Sequence, residues 1–361
     1  MDLDVLEIEV LLKMGAYDAA KDIYLYGKHV ESEDSTSFGK ISLYQLATST
    51  KRRVVPNYES FTQYFSNDNN YADTLIQNSF RYLISESNKN TDQVELNIEL
   101  ILKGVRYMVP FMSILQYLYE SVQDCNDKRS RDADNKWDSA VALFAGSMED
   151  TDVTLSSNNG YFLYGLANEL CPQFNICDGR IAKVNEDLKT LFYAGSSEIL
   201  SSNCVALEKT VITIEAKLMI PLIQGSLHVA AKNSPEGAFD GPSFTVDSRA
   251  TGHIYSRSVL PYIKKVDSQA ADTIAKNLDY QNLPIPVQDG YVVVFQSFEN
   301  AVKKLSGVSC RLIGYISKLN NLSVCPGGYA ILNGSSNAEI MAMKRVYHKL
   351  VFVFTFSFLT L

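Results

Sequence analysis

The chain is poor in the residues from which recognisable active sites are usually built. Its four histidines are His29, His228, His253 and His348. None forms the His-x-x-x-His or Glu-x-x-His spacing that presents a zinc or di-iron face on one helix. Gly-x-Ser-x-Gly, P-loop and dinucleotide glycine patterns are absent, so hydrolase, nucleotide-binding and dehydrogenase readings have no motif behind them. Positive charge is in the minority. The 33 Lys and Arg against 41 Asp and Glu leave a net charge of −8, which argues against a nucleic-acid partner because phosphate contacts need basic surface. Tryptophan occurs once, and no two of the six cysteines form a Cys-x-x-Cys pair, which removes zinc-ribbon and thioredoxin-type readings. No charged segment followed by an apolar run opens the chain. Met1-Asp2-Leu3-Asp4 starts directly in acidic, helix-like sequence. The expectation is either a cytosolic chain or a secretory signal lying outside this sequence.

What is present describes a large, well-covered core. With 361 residues and 46% apolar content, the chain has material for two domains or one large helical domain. The acidic balance keeps such a protein in solution and also suits a collector of cations. Tyrosine is abundant, with 21 residues. Tyrosinate is a hard oxygen donor for ferric iron, and tyrosine is equally at home in a helical core with its hydroxyl at the edge. Cys171 and Cys177 bracket a short Pro-containing segment, and Cys310 and Cys325 bracket another compact one. Both pairs are expected to be local disulfides in an oxidising compartment. Asn321-Leu322-Ser323 and Asn333-Gly334-Ser335 are glycosylation sequons.

Helical periodicity dominates. Residues 3–29 place Leu6, Val10, Leu11, Met14, Tyr17 and Ala20 at spacings of three and four. Residues 39–82 read as loop with short elements, and 92–124 as one long helix with Pro110 inside it. The charged run from Asp127 to Asp134 reads as a hinge. Further helices are expected over 136–147, 161–170, 181–194, 205–232, 248–278 and 295–307. The breakers Pro235, Gly237, Gly241 and Pro242 mark a loop over 233–246. The run Tyr291-Val292-Val293-Val294-Phe295 reads as either a short strand or the entry to a helix.

A faint internal repeat pairs Met108-Val109-Pro110 with Met219-Ile220-Pro221, and each proline should bend its helix. The fold class expected is mostly α, a two-lobed multi-helix bundle with short irregular or β insertions. The expected organisation is an N-terminal lobe over 1–126, a connection over 127–160 and a C-terminal lobe over 161–310. A Cys-containing segment over 311–346 follows, then an apolar tail over 347–361 that is too short to span a bilayer. Membrane attachment through a truncated anchor is one reading of that tail.

Several segments carry a family resemblance. Trp137-Asp138-Ser139-Ala140-Val141-Ala142-Leu143-Phe144-Ala145-Gly146-Ser147-Met148-Glu149 is followed by Leu163-Tyr164-Gly165-Leu166-Ala167 and a cysteine, Cys171. With Ala20-Lys21-Asp22-Ile23-Tyr24-Leu25-Tyr26-Gly27 and Val259-Leu260-Pro261, this pairing resembles the iron-assimilating periplasmic proteins of algae, the group that contains the phytotransferrins. The resemblance covers most of 18–310. It implies a secreted, periplasmic or cell-surface protein that captures ferric iron, Fe(III), with carbonate as co-ligand and a surface receptor or permease as partner. The Glu-x-x-Glu motifs associated with that family have no clean copy here. Glu95 and Glu99 stand at i and i+4 and read as a solvated face.

The candidate site follows from helix geometry. His228 lies near the end of its helix and His253 near the start of the next, so an antiparallel return would set the two imidazoles at similar heights. Tyr255 and Asp247 are near in sequence and are suitable ferric donors, and Arg249 is placed to hold the carbonate that the resemblance implies. Tyr117 occupies the position of His228 in the repeat. No enzymatic step is expected. The main alternative is a metal-independent helical cell-surface protein-interaction module, and an oxidase or hydratase with a metal between the lobes is a third class.

Overall fold

The computed structural model describes residues 1–31, 40–85, 90–148, 160–234, 245–281, 286–319 and 322–325. The apolar tail, Asn321, Asn333 and most of the loop after Asn233 lie outside them. Helices dominate, as the periodicity predicts. In chain order they are α1 (Asp2–Lys13), α2 (Tyr17–Tyr26), α3 (Leu43–Ala47), α4 (Tyr58–Tyr64), α5 (Tyr71–Ser85), α6 (Thr91–Lys103), α7 (Val109–Asn126) and α8 (Ser130–Ala145). Then come α9 (Leu163–Leu170), α10 (Lys183–Leu200), α11 (Cys204–Asn233), α12 (Val246–Val266), α13 (Ser268–Leu278), α14 (Tyr291–Val302) and α15 (Cys310–Ile313). Among the described residues the β content is two short antiparallel ribbons and an isolated bridge between Glu31 and Lys40. β1 (Cys177–Asp178) pairs with β2 (Ile181–Ala182), and β3 (Tyr315–Ile316) pairs with β4 (Leu322–Ser323).

The elements depart from the sequence expectation where one residue decides. Residues 39–82 hold real helices. Ser42 and Gln45 form a capping box that starts α3, and α5 fills 71–85. The rod expected over 92–124 is interrupted just before its proline by a π-helical segment, Gly104–Met108. Proline supplies no N–H and crowds the preceding turn, and a wider turn accommodates both. Pro221 and Pro261, by contrast, sit inside unbroken α11 and α12. The helix expected over 248–278 is two helices. Asp267 ends α12 and caps α13 by accepting from the Ala270 backbone N–H at 3.0 Å. The charged run after Asn126 is not a hinge throughout, because α8 already starts at Ser130. The valine run after Gly290 is helix, not strand.

The rod α6–π–α7 and α12 run side by side in the same direction. Lys103 meets Asp247, the Tyr107 ring packs on Tyr255, and Phe111 packs on Tyr262. α11 runs back against both. Glu215 reaches Tyr119 and Tyr262, and Gly252 lies against Val229. α11 is long and apolar enough by composition to cross a membrane, but its apolar side chains are buried in this core. The buried apolar side chains form one contiguous cluster from Val5 to Val324. The boundary expected at 126 is therefore no break in packing, since α8 folds straight back and Ala133 accepts a hydrogen bond from the Ser121 hydroxyl at 2.8 Å.

All six cysteines are paired. Cys171–Cys177 and Cys310–Cys325 form as the spacing predicts, and the remaining two close a third bridge, Cys125–Cys204, across 79 positions. This last bond ties the end of α7 to the start of α11. Three disulfides fit an oxidising compartment.

Candidate functional site

The antiparallel return of α11 into α12 does set His228 and His253 at similar heights, because Val229 lies against Gly252. Their surroundings are nevertheless separate. Burial and Lys232 pull the His228 imidazole down to about 4. Burial and Arg257 pull His253 down to about 3, with Asp279 opposing. His253 Nδ1 stands 3.6 Å from Asp279 Oδ1, and its ring meets the edge of Tyr280 at 4.6 Å between centroids. Tyr255 is two residues further along α12 and so points to the other side of the helix. There its ring covers Gly225 and packs on Tyr107, and burial raises its phenol well above the usual range. Tyr117 faces α8, with the Lys136 ammonium 5.4 Å from its ring centroid. Arg249 is half-buried on α12. Helical geometry thus distributes the six predicted residues over several faces and does not gather them.

Asp247 does belong to a charged group, though a different one. It accepts from the Thr251 hydroxyl at 3.1 Å and lies 3.6 Å from Lys103 Nζ, which also stands 3.7 Å from Glu99. Burial raises the Glu99 carboxyl to about 7, against Lys103 and reinforced by the Asp247 charge. Burial also pushes Asp247 up, but Lys103 and hydrogen bonds from Glu99 and Thr251 outweigh it and hold Asp247 below its ordinary value. Two carboxyl groups thus stand beside one lysine, and Glu99 is the one that holds a proton more tightly. Of the pair read from sequence as a solvated face, Glu95 is exposed, whereas Glu99 turns into the α6–α12 seam.

A second group was missed by the sequence reading. Glu215, on α11, is 6% exposed and is reached from three sides. The Tyr119 hydroxyl of α7 donates to one carboxylate oxygen. The Tyr262 hydroxyl of α12 donates to the other at 2.6 Å, and the Asn57 amide donates to that same oxygen at 3.0 Å. Burial first, and the Glu215 charge second, push both phenols up. Asn57 leads outward, since its side-chain oxygen accepts from the exposed Lys265 ammonium at 3.0 Å. One signal was available. Glu215 is a charged residue inside the apolar run Val211-Ile212-Thr213-Ile214-Glu215-Ala216, and a carboxylate buried there needs donors.

Chemically, the Glu215 group gathers three oxygen donors of the hard kind from three helices. Among the described residues, no three His, Cys, Asp or Glu side chains come together to hold a metal. No family profile, curated protein or solved structure matches the chain.

Proposed function

We propose that the protein is a secreted or cell-surface binder of ferric iron, with Tyr119, Tyr262 and Glu215 as its oxygen donors. The observation that carries this reading is the meeting of two phenols and one carboxylate from α7, α11 and α12 at hydrogen-bond distance. Ferric iron is hard and favours phenolate and carboxylate oxygen. Its charge reverses the local balance, so that phenols held protonated beside Glu215 become anionic ligands. Three protein donors leave room in the coordination sphere for carbonate, and Lys265 with Asn57 supplies positive charge and a donor on the solvent side. The resemblance to the algal iron-assimilating proteins and the disulfide framework support the placement outside the cell, with a receptor or permease as downstream partner.

Ferric titration from a weak chelate, with and without bicarbonate, tests the reading. The expected result is saturable binding with a visible tyrosinate-to-iron absorption band and proton release. Binding should weaken as pH falls because each phenol must lose its proton. Tyr262→Phe should weaken the band, and Tyr119→Phe combined with Tyr262→Phe should abolish it. A folded wild-type protein that binds no ferric iron in either buffer would overturn it.

A second reading rests on a different observation. Tyr193 and Leu200 on α10 are 67% and 80% exposed, and Val205 and Ile212 on α11 are 66% and 52% exposed. Each pair is two helical turns apart, on one face. Exposed apolar side chains on adjacent helices suit protein contact. This favours an interaction module if iron does not bind, and Leu200→Asp with Ile212→Asp would then abolish attachment to cells.

A further inference from the structure

The outward side of the α10–α11 hairpin is built alike from both of its helices. The inward side of α10 is taken by Trp137, which meets Gly195 and packs on Phe192. α11 turns inward through Glu215 and through Cys204, which is bonded to Cys125. The Thr210 hydroxyl donates to Glu198 at 3.1 Å and the Lys217 ammonium to Asp187 at 2.6 Å, which fixes the two helices antiparallel. In that register Leu200 lies beside Val205 and Tyr193 lies level with Ile212. The members of each exposed pair, Tyr193 with Leu200 and Val205 with Ile212, stand about 10 Å apart along their helix. Mostly small side chains stand between the two rows: Ala194, Ser197, Ala206 and Thr213, with Lys209 among them. The Ser197 and Thr213 hydroxyls already donate to carbonyls of their own helices.

Large rows beside a shallow trough form the relief into which a ridge of another helix packs. The clamps across the hairpin and the Cys125–Cys204 bridge hold this relief in place, so covering it costs little ordering. Charge selects the occupant. The exposed ionic side chains of this face are Lys183, Lys189 and Lys209 against Glu186 and Glu208, which nearly cancel in a chain of net charge −8. A strongly acidic or basic partner finds no opposing field here, whereas a second copy brings glutamates to the lysines and lysines to the glutamates. We propose that this face joins two copies of the chain in a symmetric dimer, hairpin against hairpin, with the Tyr193–Leu200 row of each copy in the trough of the other. The proposal rests on the apolar face of the interaction reading, gives that face its occupant, and is independent of ferric binding.

Sedimentation velocity of the iron-free, full-length protein, from low to high micromolar concentration, reads the association directly. The expected result is a reversible monomer–dimer equilibrium that survives high salt, because the contact is mostly apolar. Leu200→Asp with Ile212→Asp should sediment as a monomer throughout, with an unchanged melting temperature, since both side chains are more than half exposed in the single chain. Acetylation footprinting of the wild type at high concentration should protect Lys189 and Lys209 and leave the exposed Lys51 as reactive as before. This second measurement decides the matter if the double variant does not fold. A wild type that stays monomeric at the highest concentration would overturn the proposal. So would a dimer that persists in the folded double variant, or one whose Lys189 and Lys209 stay reactive, as in pairing through the apolar tail. A monomer that attaches to cells, and loses attachment in the double variant, would end the self-pairing and leave the interaction reading standing.

Discussion

A methyl group at position 195 has nowhere to go. Gly195 on α10 faces the single tryptophan, and a Cβ there would fall inside the van der Waals surface of the Trp137 ring. The indole cannot retreat. It is wholly buried, its Nε1 donates to the Phe192 carbonyl at 3.1 Å, and the Phe192 ring lies 5.7 Å away between centroids. Gly195→Ala should therefore destabilise the protein by about 1–3 kcal/mol through overpacking. This should hold even though alanine gains about 1 kcal/mol of helix propensity over glycine. The urea midpoint measures it, and a midpoint at or above wild type would refute the tight fit. Trp137 was legible as a marker in the sequence, whereas its dependence on a glycine in another helix was not. The same holds for Glu215. Its oddness inside an apolar run could be read, but its tyrosine partners come from α7 and α12 and meet it only through packing.

At the scale of elements, the α6–α12 seam makes stability depend on pH in two directions. Glu99 is raised to about 7 from an ordinary 4.5, so the folded chain binds more protons than the unfolded chain between those values. Its contribution is fully present below pH 4.5 and is lost as pH rises through 7. His253 and His228 behave oppositely. Held at about 3 and about 4 against an ordinary 6.5, they contribute stability above pH 6.5 that is lost as pH falls. Stability should therefore rise from pH 5 to a shallow maximum near pH 7, because over that range the two histidines add on the order of 3–4 kcal/mol while Glu99 gives up about 2. Denaturant unfolding from pH 5 to 8 measures the profile. Glu99→Gln should steepen the rise between pH 5 and 7. A Glu99→Gln profile parallel to wild type would contradict the raised carboxyl. Helix existence was legible in the 3.6-residue period, but the breaks were not. Asp267 divides one apolar stripe into two helices by a cap, and Pro110 is absorbed by a π segment while Pro221 is not. Local propensity does not distinguish two prolines whose surroundings differ.

For the whole molecule, the three disulfides are unequal. Closing a loop restricts the unfolded chain more when the loop is long. With 79 positions between its ends, Cys125–Cys204 should stabilise by about 4–5 kcal/mol on the loop-entropy account, against about 2 kcal/mol for Cys171–Cys177 with its separation of 6. Replacing each pair by alanine and measuring unfolding midpoints tests the order, and equal losses would show that chain entropy is not what these bonds supply. The short bridges were legible because sequence proximity limits the partners. The long one required knowing that α7 and α11 run antiparallel with their ends together. The mostly α class was likewise legible from composition and period. The division at residue 126 was expected from the charged run and the faint repeat, and neither reports that α6 and α7 pack against α11 and α12.

The long bridge also sets how damage to this protein becomes visible. Cys125–Cys204 turns the chain between them into a covalent ring. A protease that cuts once anywhere in that ring opens it without releasing a fragment. The two pieces stay joined through sulfur and remain packed along α7 and α11. Such a nicked molecule keeps the mass of the intact one, plus a water, and travels with it on a denaturing gel until a reductant is added. Intactness of this protein is thus a statement about reducing conditions, and a preparation that looks uniform without thiol can already be cut.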